Sequence, residues 1–232
     1  MNYRKKISLV FLNLFFILIC LLCLIPILYA LGVSLNSRND LLSSSFSFIP
    51  KDFTFQNYRA VLFEKPFLLW LKNSLILSFS TVVIAIAVAV PGAYALSRKR
   101  FPGRKPILNL LILLNAFPSI LSMFAVYRIL KPMGLVNNFT GLVLIYIGTM
   151  AIFGLWNMKG YFDTIPLEIE EAGKIDGADD FRLIRDIVLP LARPSIIVTA
   201  VMILIYVWNE YIFAVTFITG SEKYTLAAGL YA

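Results

Sequence analysis

The chain is interrupted by the charged, glycine-containing stretch Glu170-Glu171-Ala172-Gly173-Lys174-Ile175-Asp176-Gly177-Ala178, which continues to Ile187-Val188-Leu189-Pro190. The surrounding segment 159–194, which we call the polar loop, carries eight acidic and five basic side chains and lies between two apolar runs. Unpaired polar groups are not tolerated in hydrocarbon, so the polar loop must lie in water while its neighbours lie in lipid. The pattern predicts a loop at which the protein meets a partner.

The composition defines the class of protein. Hydrophobic residues make up 59% of the 232 residues, charged residues make up 15%, and the mean hydropathy is +0.82. These values are typical of an integral membrane protein and exclude a soluble domain. The net charge of +8 lies in short clusters between apolar runs, without a basic face that carries interleaved aromatic side chains. It therefore indicates contact with lipid headgroups and a defined topology, and not nucleic acid.

Five apolar segments are long enough to cross a hydrocarbon layer about 30 Å thick, which needs about 20 helical residues. We predict an all-α, polytopic membrane protein with a single transmembrane domain over residues 1–232. The predicted spans are 7–31, 73–96, 107–127, 141–158 and 195–218. The first apolar run is too long for a signal peptide, so we expect it to remain as a membrane anchor.

The distribution of Lys and Arg predicts the orientation, because cations are retained in the cytoplasm. A cytoplasmic N-terminus leaves thirteen cations inside and eight outside. The turn 98–106 has five cations and no anion, so we place it in the cytoplasm together with the polar loop, and segment 32–72 outside. Five spans would leave the C-terminus outside. Either the protein has five spans, or a final helix lies beyond this sequence.

Several kinds of site are missing from the sequence. It has no histidine, no G-x-x-x-x-G-K-[S/T] phosphate loop, no Ser/His/Asp set and no Cys/His spacing typical of metal ligands. We therefore predict no catalytic residue, metal or cofactor in this chain, and any energy input must come from another protein. Cys20 and Cys23 lie in the first span and are interpreted as small apolar residues. Glu210 is the one ionisable residue in the predicted spans, which is weak support for an ion-driven carrier.

Turn and capping residues divide the polar loop into two predicted helices. Pro166 fits the first turn of a helix, and the glutamates that follow favour its positive end, so we expect a short helix through about Lys174. Gly177 then separates it from a second helix, which Asp179 caps and Pro190 ends. The pair is either an amphipathic loop on the membrane surface or a docking element whose glycines allow another protein to approach closely. Spacing alone does not distinguish these interpretations.

The polar loop also resembles a known signature. Glu171-Ala172-Gly173, then Gly177 after three residues and Ile187-x-Leu189-Pro190 after nine more, is similar to the E-A-A-x3-G-x9-I-x-L-P signature of the membrane subunits of binding-protein-dependent ABC importers. The wider chain resembles the carbohydrate-uptake, maltose-type branch of that family at Asn57-Tyr58, Asn73-Ser74-Leu75, Gly92-Ala93-Tyr94-Ala95-Leu96, Phe101-Pro102-Gly103, Ile165-Pro166 and Trp208-Asn209-Glu210. One departure is Gly173, where the signature usually has alanine, which costs up to about 1 kcal/mol of helix propensity.

The resemblance implies a type I ABC importer permease fold, for which six spans are expected, in a bacterial or archaeal cytoplasmic membrane. It implies a permease half that works with a homologous second permease, two ATPase subunits that hold ATP and Mg, and an extracytoplasmic solute-binding protein. In that family the E-A-A helix sits in a cleft of the ATPase and transmits ATP-driven closure. Carried over to this chain, the coupling candidates are Glu171, Ala172, Gly173, Asp176, Gly177 and Ala178.

The fifth predicted span carries a second candidate site. Tyr206, Asn209, Glu210 and Phe213 follow an i, i+3, i+4, i+7 pattern, which places a polar and aromatic stripe on one helix face. Aromatic faces and amide edges suit a sugar, so these residues are candidates for the substrate pathway. The alternative is that the stripe packs against the partner permease. For the protein as a whole, the alternatives are an ATP-independent secondary carrier and a structural membrane subunit without transport.

Overall fold

A computed structural model describes residues 3–36 and 52–231, and every regular element within them is a helix. The one β-type contact in this part of the chain is an isolated antiparallel bridge between Asn36 and Phe53. In chain order the helices are α1 (Tyr3–Ser34), α2 (Gln56–Arg59), α3 (Phe67–Arg98), α4 (Arg104–Ala116), α5 (Ser119–Leu130), α6 (Phe139–Phe162), α7 (Leu167–Ile175), α8 (Asp180–Arg182), α9 (Leu189–Asn209), α10 (Ile212–Phe217) and α11 (Leu226–Tyr231). The predicted all-α class is confirmed.

In the part of the chain that the structure describes, four helices are long and apolar enough to cross a membrane, namely Leu9–Ser34, Phe67–Arg98, Phe139–Phe162 and Asp180–Asn209. The first three contain most or all of the first, second and fourth predicted spans. The chain divides into two compact units, Met1–Phe67 and Leu68–Ala232. The single transmembrane domain over residues 1–232 stays a prediction.

The third predicted span, 107–127, is not one straight helix. Helices α4 and α5 are long and apolar enough to cross a membrane only when taken together, and they are bent by 105° at the break between them. The break contains Phe117, whose backbone is extended, and Pro118. Proline lacks an N–H group and disfavours the helical conformation of the residue before it, so the helix ends here. Counted as one span, the bent pair is a fifth segment long and apolar enough to cross a membrane, so the predicted span 107–127 corresponds to a broken helix.

The helix that corresponds to the fifth predicted span, 195–218, begins and ends earlier in the chain than predicted. One helix runs without interruption from Asp180 to Asn209, because α8 continues through a π-helical segment, Leu183–Val188, into α9. The prediction that Pro190 ends the second helix of the polar loop was therefore wrong. Pro190 lies inside this continuous helix, directly after the π-helical segment, where the wider turn changes the hydrogen-bond pattern at the position at which proline has no N–H group to donate.

In the first unit, the side chains of Asn57 and Tyr58 join α2 to the end of α1. The amide of Asn57 donates hydrogen bonds to the carbonyl oxygens of Ser34 and Asn36, at 3.1 Å and 3.0 Å. The hydroxyls of Tyr58 and Ser34 lie 2.7 Å apart. The two bonds from Asn57 satisfy carbonyl groups at and just after the end of α1, where a helix leaves such groups without partners of its own.

The core of the second unit is formed by α3, α6 and α9. The buried face of α3 carries small side chains, among them Ser78, Ala85 and Ala89. On α6, a Cβ atom added at Gly154 would lie 3.1 Å from the Cβ of Ala89. Small residues let helix backbones approach closely, which is how helices associate in a membrane.

Candidate functional site

The turn that ends α7 is held in place by Gly177. Its φ angle is +86°, in the left-handed region, and its N–H donates to the Lys174 carbonyl at 3.0 Å. The next N–H, of Ala178, donates to the Gly173 carbonyl at 3.0 Å. This pair of bonds is the Schellman motif, which satisfies the last carbonyls of a helix and favours glycine. The predicted end of the helix is confirmed. The geometry of this turn explains the glycine at position 177 without contact with another protein.

Asp179 begins the next helix, as the sequence predicted. Its carboxylate accepts a hydrogen bond from the backbone N–H of Arg182 at 2.7 Å. Such a cap satisfies one of the N–H groups that the first turn of a helix leaves free. The two helices of the polar loop therefore meet at Gly177, with a cap on each side of the turn.

Gly173 lies between these two helices and is buried. A Cβ atom added at this position would lie 2.5 Å from Cδ1 of Ile187 and 3.0 Å from Cδ1 of Leu183. The glycine thus allows α7 to approach the π-helical segment of the same chain closely. The hypothesis that the loop glycines allow another protein to approach does not fit Gly173.

Most of the other coupling candidates lie on the surface of the loop. Glu171, Ala172, Asp176 and Gly177 are exposed, and Ala178 is half-buried. Two large apolar side chains, Ile175 and Phe181, flank the same turn. They are 86% and 70% exposed. Exposed apolar groups beside a charged turn mark a surface that another protein can bury.

Glu170 is a functional candidate that the sequence analysis missed. In the sequence it is one of the glutamates that favour the positive end of the predicted helix, and the structure shows that it is buried. Its carboxylate accepts hydrogen bonds from Nε of Arg98 at 2.5 Å and from the hydroxyl of Tyr94 at 2.9 Å. Arg98 also donates to the Ile165 carbonyl at 2.8 Å. The signal in the sequence was the i, i+4 spacing of Tyr94 and Arg98, which places both on one face of α3.

A second polar contact joins the ends of α3 and α6. The carboxylate of Asp163 accepts hydrogen bonds from Ser97 at 2.6 Å and from Lys159 at 2.5 Å. Partial burial alone would raise the pKa of Asp163, but the bonds from Lys159 and Ser97 outweigh it and lower the pKa from its ordinary value. The carboxylate is therefore ionised, and it ties this end of α6 to α3.

Glu210 lies at a break in the helix and not on a continuous face. The chain is extended at Glu210, and α10 follows it. Its carboxylate accepts hydrogen bonds from the backbone N–H groups of Phe213 and Ala214, at 2.8 Å and 3.1 Å, and from the hydroxyl of Tyr146 at 2.5 Å. The side chain caps α10 and joins it to α6. The predicted regular helical stripe through Glu210 was therefore wrong.

The break nevertheless brings the four predicted pathway residues together. Tyr206, Asn209, Glu210 and Phe213 all line one open cavity of about 520 Å³. Tyr206 and Phe213 also line a larger cavity of about 760 Å³. Its other walls are the bend between α4 and α5 and one side of α6. Polar side chains in the larger cavity include Asn115 and Thr149. In residues 3–36 and 52–231, no three His, Cys, Asp or Glu side chains are grouped so that they could hold a metal ion.

Residues 81–231 match the family of binding-protein-dependent transport system inner membrane components. The chain belongs to this family. The matched part includes the polar loop, the Arg98–Glu170 contact and the helix break at Glu210. Family members are the membrane-embedded transport components of ABC importers, so the protein is a permease subunit located in a membrane. Membership favours an importer over a secondary carrier or a structural subunit.

Individual relatives agree along most of this permease. It is 33% identical over 234 residues to the galactooligosaccharides transport system permease protein GanQ of Bacillus subtilis, covering 100% of this chain and 82% of that relative. It is 31% identical over 193 residues to the trehalose transport system permease protein SugB of Mycobacterium tuberculosis, covering 83% of this chain and 70% of that relative. Among solved structures, it resembles a bacterial ABC transporter involved in the import of the acidic polysaccharide alginate, with a TM-score of 0.80 and 26% identity over 100% of this chain and 80% of that chain. The fold is that of an ABC importer permease.

Proposed function

We propose that this permease forms half of the translocation pathway for a sugar or related small solute. A homologous second permease supplies the other half, and an extracytoplasmic binding protein delivers the solute. The names of GanQ and SugB, which transport galactooligosaccharides and trehalose, support a carbohydrate. The cavity that contains Tyr206, Asn209 and Phe213 supports a pathway in this chain, because aromatic rings and amides bind sugars well.

Energy enters through partner subunits in this proposal. Two ATPase subunits bind ATP and Mg, and this chain hydrolyses no nucleotide. ATP then shifts the population between inward-open and outward-open states, which requires a surface that the ATPase contacts differently in the two states. The turn between α7 and α8 is our candidate for that surface. The orientation follows, with the N-terminus, the turn 98–106 and the polar loop in the cytoplasm.

The observation that carries the proposal is the exposure of Ile175 and Phe181 beside the capped turn at Gly177. Burial of one large apolar side chain contributes about 1.5–3 kcal/mol, so two of them can anchor an ATPase on this turn. The Schellman motif holds the backbone of the turn in one conformation, which lowers the entropy lost on docking. Glu171 and Asp176 add negative charge to the exposed side of the same surface.

Truncation of Phe181 tests this docking surface. We expect Phe181→Ala to reduce the amount of ATPase subunit that co-purifies with the permease pair, and to reduce uptake in parallel. Phe101→Ala is the matched control, because Phe101 is also exposed but lies in the turn 98–106. Equal recovery of ATPase with both variants would contradict the docking role of the α7–α8 turn.

The solute class is tested separately in proteoliposomes that contain the complete importer. Uptake of labelled disaccharides and short oligosaccharides is compared with uptake of amino acids of similar size, each with the binding protein present. Uptake driven by ATP and restricted to sugars is the expected result. Uptake of amino acids alone would overturn the carbohydrate assignment and leave the importer assignment intact.

A further inference from the structure

A buried polar cluster joins the last turn of α3 to α7. The side chains of Arg98 and Glu170 are each only 8% exposed, and Nε of Arg98 lies 2.5 Å from the carboxylate. Tyr94, one turn earlier on α3, donates to the other carboxylate oxygen at 2.9 Å. Both oxygens of Glu170 therefore have a partner on the same helix. A buried charge pair is stable only with such geometry and additional hydrogen bonds.

Arg98 holds the polar loop at two points. Besides Glu170 within α7, its guanidinium donates to the backbone carbonyl of Ile165, just before α7 begins, at 2.8 Å. Arginine suits this task, because its planar fork of donors makes several hydrogen bonds in fixed directions. The first half of α7 is thus fixed in position and direction against the end of α3.

The other end of α3 is attached as firmly to a different part of the chain. Nε1 of Trp70 donates to the Ser221 carbonyl at 2.7 Å, and the amide of Asn73 donates to the carbonyls of Glu222 and Tyr224 at 3.0 Å and 2.9 Å. From Trp70 to Arg98 the chain is helical throughout, a length of about 40 Å at 1.5 Å per residue. One helix therefore connects α7 to segment 221–224.

We propose that Arg98 and Glu170, together with Tyr94, are the positioning residues that connect the movement of α7 to α3. A displacement of α7 by the ATPase then moves α3 as a body and reaches segment 221–224 at its far end. The inference rests on the proposed coupling role of the α7–α8 turn. It adds a residue pair that touches neither the ATPase surface nor the candidate solute pathway.

The reconstituted importer provides the test, with the number of solute molecules imported per ATP hydrolysed as the readout. A merely structural role lowers the amount of folded complex but leaves this ratio unchanged in the complex that remains. We expect Glu170→Ala and Arg98→Ala each to lower the ratio at least about fivefold, the lower end of typical coupling effects, with the KM for ATP unchanged. The double variant is expected to be no worse than the worse single variant, because each single change strands a buried charge.

Lys99→Ala is the matched control. Lys99 is the neighbour of Arg98 and pairs with Asp180 at 3.3 Å, but both side chains are more than half exposed. Exposed pairs contribute little, so the ratio is expected to stay at the wild-type value. An equal effect of Lys99→Ala and Arg98→Ala would mean that loss of any cation from this turn is sufficient, and would overturn the proposal.

The outcomes separate this inference from the proposed function. If Glu171→Lys on the exposed surface of α7 lowers the ratio and Glu170→Ala leaves it within twofold of the wild type, the positioning role is wrong and the docking surface stands. If neither Glu171→Lys nor Glu170→Ala changes the ratio, the coupling role of the polar loop is wrong, and the positioning role that rests on it is wrong as well. Should Glu170→Ala not assemble, Glu170→Gln and Tyr94→Phe replace it, since each removes part of the cluster without a cavity. An unchanged ratio in both of these variants overturns the proposal.

Discussion

The hydroxyl of Tyr146 donates a hydrogen bond to the carboxylate of Glu210, 64 residues further along the chain. The same carboxylate caps α10 through the backbone N–H groups of Phe213 and Ala214. A carboxylate facing acyl chains would cost at least about 2.5 kcal/mol. These three donors explain how an ionisable side chain is accommodated between apolar helices, and why the helix breaks at this residue.

The cap at Glu210 predicts the effect of Glu210→Gln. The glutamine amide keeps an acceptor oxygen, but its NH₂ group faces a donor and its charge at the helix start is lost. We expect a stability loss of about 0.5–2 kcal/mol, as for other helix caps, and a modest change in uptake. Thermal unfolding of the purified complex and uptake in proteoliposomes measure the two effects.

Tyr146→Phe is the partner variant for this prediction, because it removes one donor and leaves the carboxylate in place. The effects of Glu210→Gln and Tyr146→Phe on stability should be less than additive, since the residues share one hydrogen bond. Loss of uptake in Glu210→Gln without any change in unfolding would instead indicate that the charge itself serves transport.

Charge reversal on the exposed side of α7 should uncouple transport without unfolding the protein. Glu171 is exposed, so Glu171→Lys is expected to leave insertion and thermal stability unchanged while solute-stimulated ATPase activity and uptake fall. Asp186→Lys is the control, because it reverses an exposed charge in the same loop on the π-helical segment. Normal coupling in Glu171→Lys would contradict the docking role.

Gly177→Asp should also uncouple the importer, because it strains the backbone of the turn that ends α7. Any other residue at Gly177 must adopt a positive φ angle, which costs about 1–2 kcal/mol. Asn tolerates this conformation better than Ala, so Gly177→Asn should preserve more activity than Gly177→Ala. Uptake and ATPase assays of the three variants check this order, and a ranking with Ala above Asn would count against the helix-ending role of Gly177.

The close approach of Gly173 to Ile187 predicts that the effect of Gly173→Ala on stability depends on the side chain at position 187. In the wild-type background Gly173→Ala should lower the unfolding temperature, because a Cβ atom would lie 2.5 Å from Cδ1 of Ile187 and overpacking costs about 1–3 kcal/mol. In the Ile187→Val background that methyl group is absent, but Cδ1 of Leu183 still lies 3.0 Å from the added Cβ atom, so the same change should lower the unfolding temperature by less. Equal effects in both backgrounds would show that the two residues do not press on each other.

Cysteine labelling tests the orientation. With Cys20 and Cys23 replaced by serine, a membrane-impermeant thiol reagent should label Lys105→Cys and Asp176→Cys only from the cytoplasmic side. Glu222→Cys, an exposed position beyond α10, should be labelled only from the opposite side. Labelling of Lys105→Cys from outside would overturn the orientation derived from the distribution of cations.

Much of the polar loop could be predicted from the sequence because its structure is local. The helix that follows Pro166, the turn at Gly177 and the cap at Asp179 each depend on residues within one or two turns of the chain. The effect of each proline was harder to predict, because it depends on the surrounding backbone. Pro118 lies at the sharp bend between α4 and α5, whereas Pro190, which was expected to end a helix, lies inside the helix that runs from Asp180 to Asn209.

The sequence by itself determined that this protein lies in a membrane, that a charged loop interrupts its apolar helices, and which family it resembles. These conclusions rest on runs of residue types and on spacings along the chain, which folding does not change. Only the tertiary structure decided which partner each buried polar group has. Glu170 meets Arg98 across 72 residues, and Glu210 meets Tyr146 across 64. A sequence shows that a carboxylate is present, but its desolvation must be offset by donors that only the packing of distant helices brings within hydrogen-bond distance.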